Sequence, residues 1–158
     1  MKEMNDEQAF SRLASLCARS EHCEHDAQEK MRRWGISDSS QAAIMQRLVS
    51  ERYVDNARYA AAFVGDKARY AKWGPRKIEQ ALWMKHVDQN LIREALDDFD
   101  RRVFVENLQK LLQQKRRQLR DIDGYEQKVR LIRFAMSRGF TMDIIRECME
   151  DADEFATE

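Results

Sequence analysis

Three places in this chain carry the same spacing of residues: x, x+4, x+8 and x+9. They are Ala27–Met31–Gly35–Ile36, Ile78–Leu82–His86–Val87 and Leu131–Ala135–Gly139–Phe140. Offsets of four and eight lie along one face of an α-helix. A glycine at x+8 ends that helix, because it takes a left-handed conformation without a Cβ clash. The pattern continues after the second and third sites: Ile92 and Leu96 follow Val87 at +5 and +9, as Ile145 and Met149 follow Phe140. Ile44 and Leu48 follow Ile36 with three extra residues in the turn. A chain that repeats one supersecondary unit buries its core by stacking units. The expected fold is all-α, an elongated tandem array of three three-helix repeats at residues 1–53, 54–99 and 100–152, with an acidic tail at 153–158. In such an array the working part is an outer surface, not a cavity.

Helical periodicity fills in the elements. In the first repeat, Ala9, Phe10, Leu13, Leu16 and Cys17 mark one helix. Asp26 is placed to cap a second carrying Ala27, Met31 and Trp34, which Gly35 ends. A third carries Ala43, Ile44, Leu48 and Val49 and runs to about Tyr53. In the second, Asp55 caps a helix with Tyr59, Ala60, Phe63 and Val64 inward. Pro75 opens the next, with Ile78, Leu82 and Trp83, and Asp88 caps a helix with Leu91, Ile92, Ala95 and Leu96. In the third, a helix from Arg101 with Val103, Phe104, Leu108, Leu111 and Leu112 runs into the basic stretch Lys115–Arg120. After a loop at 121–124, a helix from about Tyr125 stops at Gly139, and Thr141 caps the last.

One proline and five glycines are few for an all-β fold. No apolar run approaches the roughly 18 residues of a membrane span, and the polar N-terminus has no signal-peptide pattern. Cys17, Cys23 and Cys148 make no paired framework, which suits a reduced, cytoplasmic protein. Cys17, His22, Cys23 and His25 match no usual zinc spacing; Cys17 reads as a small core residue and the histidines as solvent-facing. A Gly-rich phosphate loop, HExxH, GxSxG and a supported Ser/His/Asp set are all missing, so the chain does not read as an enzyme.

The run Asp55-x-x-Arg58-Tyr59-Ala60-x-x-Phe63-Val64, followed by Gly74-Pro75-x-Lys77-Ile78 and Leu82, resembles the signature of the RecX family of recombination regulators. The ending Arg138-Gly139-Phe140 is similar to that family's C-terminal repeat. His86 departs from the pattern, standing where the family usually has glycine. The resemblance implies tandem three-helix repeats that bind the RecA recombinase filament along its helical groove. It also implies inhibition of the filament's ATP hydrolysis, strand exchange and coprotease activity, without catalysis or cofactor, within the SOS response and DNA repair.

Net charge is zero but unevenly placed: residues 101–138 hold eleven basic and four acidic side chains, and 139–158 one and seven. Lys67, Arg69, Lys72, Arg76 and Lys77 cluster around Gly74-Pro75. Lys115, Arg116, Arg117 and Arg120 form a second group, with Arg116 and Arg120 on one helical face, and Arg130 and Arg133 a third. Phosphate contacts need only positive charge and reach. These eleven residues are therefore the candidate partner or nucleic-acid surface, for the filament and for single-stranded DNA through it. The second reading is a basic helical module that competes for single-stranded DNA. Glu126–Arg130 at i, i+4 also fits a pair that only braces its helix. No heptad seam argues for a dimer, so a monomer is expected.

Overall fold

A computed structural model describes residues 4–149; the predicted acidic tail at 153–158 lies outside them. Among the described residues there are nine helices and no strand: α1 (Asp6–Arg19), α2 (Glu24–Arg33), α3 (Asp38–Ser50), α4 (Asn56–Arg69), α5 (Pro75–Met84), α6 (Gln89–Asp98), α7 (Arg101–Gln118), α8 (Gly124–Ser137) and α9 (Met142–Cys148). The fold is all-α, as the periodicity predicts. Two compact units form, with boundaries at Ala62–Phe63, Ala81–Leu82 and Ala95–Leu96; the first takes in Leu82–Ala95 and the second Phe63–Ala81.

The recurring spacing has a backbone cause. In each copy the N–H of residue x+9 donates to the carbonyl of x+4: Ile36 to Met31 at 3.1 Å, Val87 to Leu82 at 3.3 Å and Phe140 to Ala135 at 3.1 Å. The residue between has positive φ: Gly35 at 72°, His86 at 59° and Gly139 at 91°. This is the Schellman cap, and its hydrophobic partner residues are the buried anchors of the pattern. His86 holds the left-handed position that glycine fills in the other two, as its place in the pattern requires. A fourth cap follows α3, where Tyr53 N–H donates to Leu48 O at 2.9 Å and Arg52 sits at φ 62°.

In the first unit, α3 packs on α1 and α2. Ala9, Phe10, Leu13, Ala27, Met31, Ile36, Ile44, Leu48 and Val54 form its core. Asn5 and Gln8 make a reciprocal capping box on α1. Asp26 does not cap α2. The helix starts two residues earlier, with Cys23 at the cap making no side-chain bond there. The free N–H of Glu24 is met instead by Asn56 Oδ1 at 2.9 Å, while Asn56 Nδ2 donates back to Glu24 Oε2 at 2.8 Å. α3 stops at Ser50 rather than near Tyr53. Its inward residues are Gln41, Ile44 and Leu48; Ala43 and Val49 are exposed, because the helix turns its 41/44/48 face to α1 and α2. Trp83 is also outward: a wheel places it about 140° from Ile78, and it is 65% exposed. Cys17 packs against the core as expected, but His25 is half-buried, its ring 4.6 Å from that of His86.

Asp26 has a different task in this unit. Its carboxylate takes a hydrogen bond from Lys85 Nζ at 2.7 Å, beside Cys23 and Tyr59. Burial pushes the Asp26 carboxyl up, but the Lys85 ammonium and Cys23 together bring it below its ordinary value. Lys85 is raised by the hydrogen bond to Asp26. Burial pushes Cys23 and Tyr59 up, so both stay neutral.

In the second unit, α7, α8 and α9 pack on one another. Phe104, Leu108, Leu112, Leu131, Ala135, Phe140, Ile144 and Ile145 are buried. Side-chain amides close helix ends here and in the first unit. Asn107 Nδ2 donates to Ala68 O in the last turn of α4 at 2.7 Å, Gln127 Nε2 to Leu119 O past α7 at 2.9 Å, and Gln41 Nε2 to Ile36 O at 2.8 Å. Each satisfies a carbonyl that the helix cannot. Arg101 on α7 reaches Glu147 and, at 3.0 Å, Asp143 on α9.

Candidate functional site

All eleven candidate cations fall in the second unit. The first group surrounds a connection whose course is set by close backbone contact. Gly74 N–H donates to Arg138 O at 2.7 Å, and Arg76 N–H to Gly139 O at 2.9 Å. A Cβ at Gly74 would lie 2.3 Å from both Gly139 C and Phe140 N, and one at Gly139 would lie 2.5 Å from Lys77 Cβ. The turn after α8 thus seats directly on the start of α5. Glycine is required at 74 for proximity, since its φ is not positive, and at 139 for both proximity and φ.

This seat fixes the direction of the side chains around it. Trp73 is half-buried, edge-on to Phe63 at 6.4 Å between ring centroids. Lys67 Nζ lies 4.7 Å and Lys77 Nζ 4.6 Å from the centre of the Trp73 ring. Two ammonium groups ten positions apart are so brought to one indole. Arg69 does not join them; its guanidinium covers Phe99 at 4.8 Å. Lys72, at φ 60°, and Arg76 are exposed, with no acid paired to them among the described residues.

One member of the second group stands over another ring. Lys115 Nζ lies 5.2 Å from the centre of Phe134, and Arg138 approaches the same ring at 5.1 Å. Arg138 was not among the predicted cations, although its place at i+4 from Phe134 was the signal for it. Arg116 is half-buried, while Arg117 and Arg133 are exposed and without an acid partner among the described residues. Arg120 does not share a helical face with Arg116, because α7 ends at Gln118 and Arg120 lies in the turn beyond. Arg130 is held by Glu126 at 2.9 Å, so it does brace its own helix. Aromatic rings thus hold Lys67, Lys77, Lys115 and Arg138 in place without neutralising them.

Tyr70, which no sequence pattern singles out, is 81% exposed just beyond α4. In the first unit, Trp83 and Met84 are exposed at the end of α5. That unit also bears a polar hollow of about 740 Å³ lined by residues including Glu24, His25, Arg32, Asp38 and His86. Among the described residues no group of three or more His, Cys, Asp or Glu is placed to hold a metal ion. No described helix is long and apolar enough to cross a membrane.

The signature residues prove to be architectural. Asp55 accepts from Arg58 N–H at 3.0 Å and caps α4. Arg58 then donates to Glu21 at 2.6 Å and to the carbonyls of Arg52 and Tyr53 at 3.1 and 3.3 Å, binding the left-handed turn before α4. Tyr59, Ala60, Val64, Ile78 and Leu82 are core.

Family models describing the second and third three-helix domains of RecX match residues 55–96 and 104–149. A regulatory protein RecX of Acinetobacter baylyi is 27% identical over 152 residues, 96% of this chain and 92% of that protein. One of Bacillus cytotoxicus is 22% identical over 94% of this chain but only 55% of its own length. The chain thus spans about half the length of some curated relatives and nearly all of others. The crystal structure of RecX from Lactobacillus salivarius superposes with a TM-score of 0.85 at 18% identity, covering 94% of this chain and 96% of that one, which shows the shared fold. With the two matched three-helix domains together taking up more than half of its residues, this chain belongs to the RecX family.

Proposed function

We propose that this protein binds the filament of a RecA recombinase and inhibits its ATP hydrolysis, strand exchange and coprotease activities. It acts by occupying a surface rather than by catalysis, needs no cofactor, and works as a cytoplasmic monomer. The match to two consecutive RecX domains carries the reading. The second unit supports it with cations that aromatic rings hold in place and with exposed arginines and lysines that have no acid partner among the described residues. Such a surface fits an acidic filament face or the phosphates of the DNA within it.

The test is a titration of recombinase ATPase on filaments preassembled on single-stranded DNA. Inhibition well below one copy per recombinase monomer is expected. The second reading, a basic module competing for single-stranded DNA, is favoured by the same unpaired cations. It predicts inhibition only when the protein saturates the free DNA.

A further inference from the structure

The segment Arg69–Lys77 holds four cations and no acid. Within it, Tyr70 exposes 81% of its surface, more than the other exposed large hydrophobic residues among those described. Its side chain makes no hydrogen bond or ring contact among the described residues. The segment is nonetheless fixed. Tyr70 N–H donates to Asp66 O at 2.9 Å, Trp73 N–H to Lys67 O at 3.1 Å and Gly74 N–H to Arg138 O at 2.7 Å. Between them Lys72 is held at φ 60°, a conformation that costs a lysine about 1 kcal/mol. A bare aromatic ring is therefore presented on a turn pinned at both ends. Lys72 lies at most about 7 Å along the backbone from it, and Arg76 is in the first turn of the next helix.

We propose that Tyr70 is a base-stacking platform for single-stranded nucleic acid, with Lys72 and Arg76 as its phosphate contacts. Two features favour this over an acidic protein face. A flat ring with free faces suits a base, which every nucleotide supplies regardless of sequence. Two unpaired cations of one sign suit a backbone charged at every residue. Because the turn is already ordered, little entropy is lost on binding. Trp83, another exposed aromatic, lacks such company: it lies beside exposed Met84, and the nearest lysine in sequence, Lys85, is paired with Asp26. The proposal rests on the reading that the second unit meets a nucleoprotein, and it assigns the nucleic-acid side of that contact.

The experiment is fluorescence anisotropy of labelled oligo(dT) with the full chain and no recombinase, over a salt series. Tyr70→Ala should weaken binding roughly 5- to 150-fold, and Tyr70→Trp should retain it. Lys72→Ala with Arg76→Ala should lower the slope of log K against log salt by about 1.4. An exposed tyrosine contributes little to folding, so unchanged unfolding is expected in all these variants. The proposal is overturned if Tyr70→Ala binds oligo(dT) like the parent chain, if Tyr70→Trp is as weak as Tyr70→Ala, or if the parent chain fails to bind at low salt. It is also overturned if Tyr70→Ala weakens binding of polyglutamate but not of oligo(dT). Filament inhibition is scored separately: a parent chain that binds oligo(dT) through Tyr70 but leaves recombinase ATPase untouched removes the filament reading and keeps this one.

Discussion

Replacing Gly74 by alanine adds one methyl group at a place where two backbones touch. The new Cβ would sit 2.3 Å from Gly139 C and Phe140 N, against an ordinary contact of about 3.5 Å or more. Both obstacles are main chain, so no side chain can swing aside. Parting the segments by about 1.2 Å to reach that contact would stretch the Gly74–Arg138 and Arg76–Gly139 hydrogen bonds, now 2.7 and 2.9 Å, beyond the bonding range. Overpacking costs about 1–3 kcal/mol, and each lost backbone bond about 1 kcal/mol, more if its groups stay buried. The expected loss is roughly 3–6 kcal/mol, read by denaturant unfolding followed by circular dichroism. Two other glycines serve as controls. Gly35 has open space at its Cβ but φ +72°, so Gly35→Ala isolates conformational strain at about 1–2 kcal/mol. Gly124 has open space and no positive φ at the start of α8, so Gly124→Ala should stabilise by about 0.5 kcal/mol. A Gly74→Ala protein within about 1 kcal/mol of the parent would refute the argument that this contact forces the residue.

Other perturbations have equally definite outcomes. Asn107→Ala removes the donor to Ala68 O and should cost about 1–3 kcal/mol in unfolding experiments, with faster amide exchange at the end of α4. Asp26→Asn should cost about 1 kcal/mol at neutral pH, a modest figure because the Lys85 side chain is 41% exposed and water screens the pair. The lowered Asp26 pKa stabilises the fold above the ordinary value of 3.8, and that part is lost as pH falls through the folded value. The raised Lys85 pKa stabilises below the ordinary 10.5 and is lost as pH climbs through the folded value, so the difference between parent and Asp26→Asn should be flat between about pH 5 and 10. Arg116, Arg117 and Arg120 replaced together by alanine should weaken filament or DNA binding and flatten its salt dependence; unchanged affinity at low salt would take this group out of the surface.

Helix identities were legible in the sequence because each helix has an apolar stripe, and the caps because a turn has few residue choices. The spacing at Ile78–Leu82–His86–Val87 was enough to foresee that a histidine would stand left-handed, since hydrogen-bond closure from Val87 to Leu82 leaves no other conformation at that position. Errors arose where a local rule met a distant partner. Asp26 is a good cap by type, yet Asn56, thirty residues on, takes the duty at Glu24, and Lys85 takes Asp26. Arg116 and Arg120 share a face only if the helix continues, and it ends between them.

The candidate surface divides along the same line. Composition alone located an excess of cations in the later part of the chain. Which cations are held, and by what, was not written there. Lys67 and Lys77 meet because Trp73 lies between α4 and α5, Arg130 is spent on Glu126, and Tyr70 is bare because none of the described elements covers it. Local order is carried by spacing, which a one-dimensional string records directly: helix faces, caps and turns follow from neighbours within about nine positions. Gly74 against Gly139, Asn107 on Ala68 and Asp26 with Lys85 are separated by 65, 39 and 59 positions. Contacts at such range depend on how finished helices pack, and only the folded chain decides them.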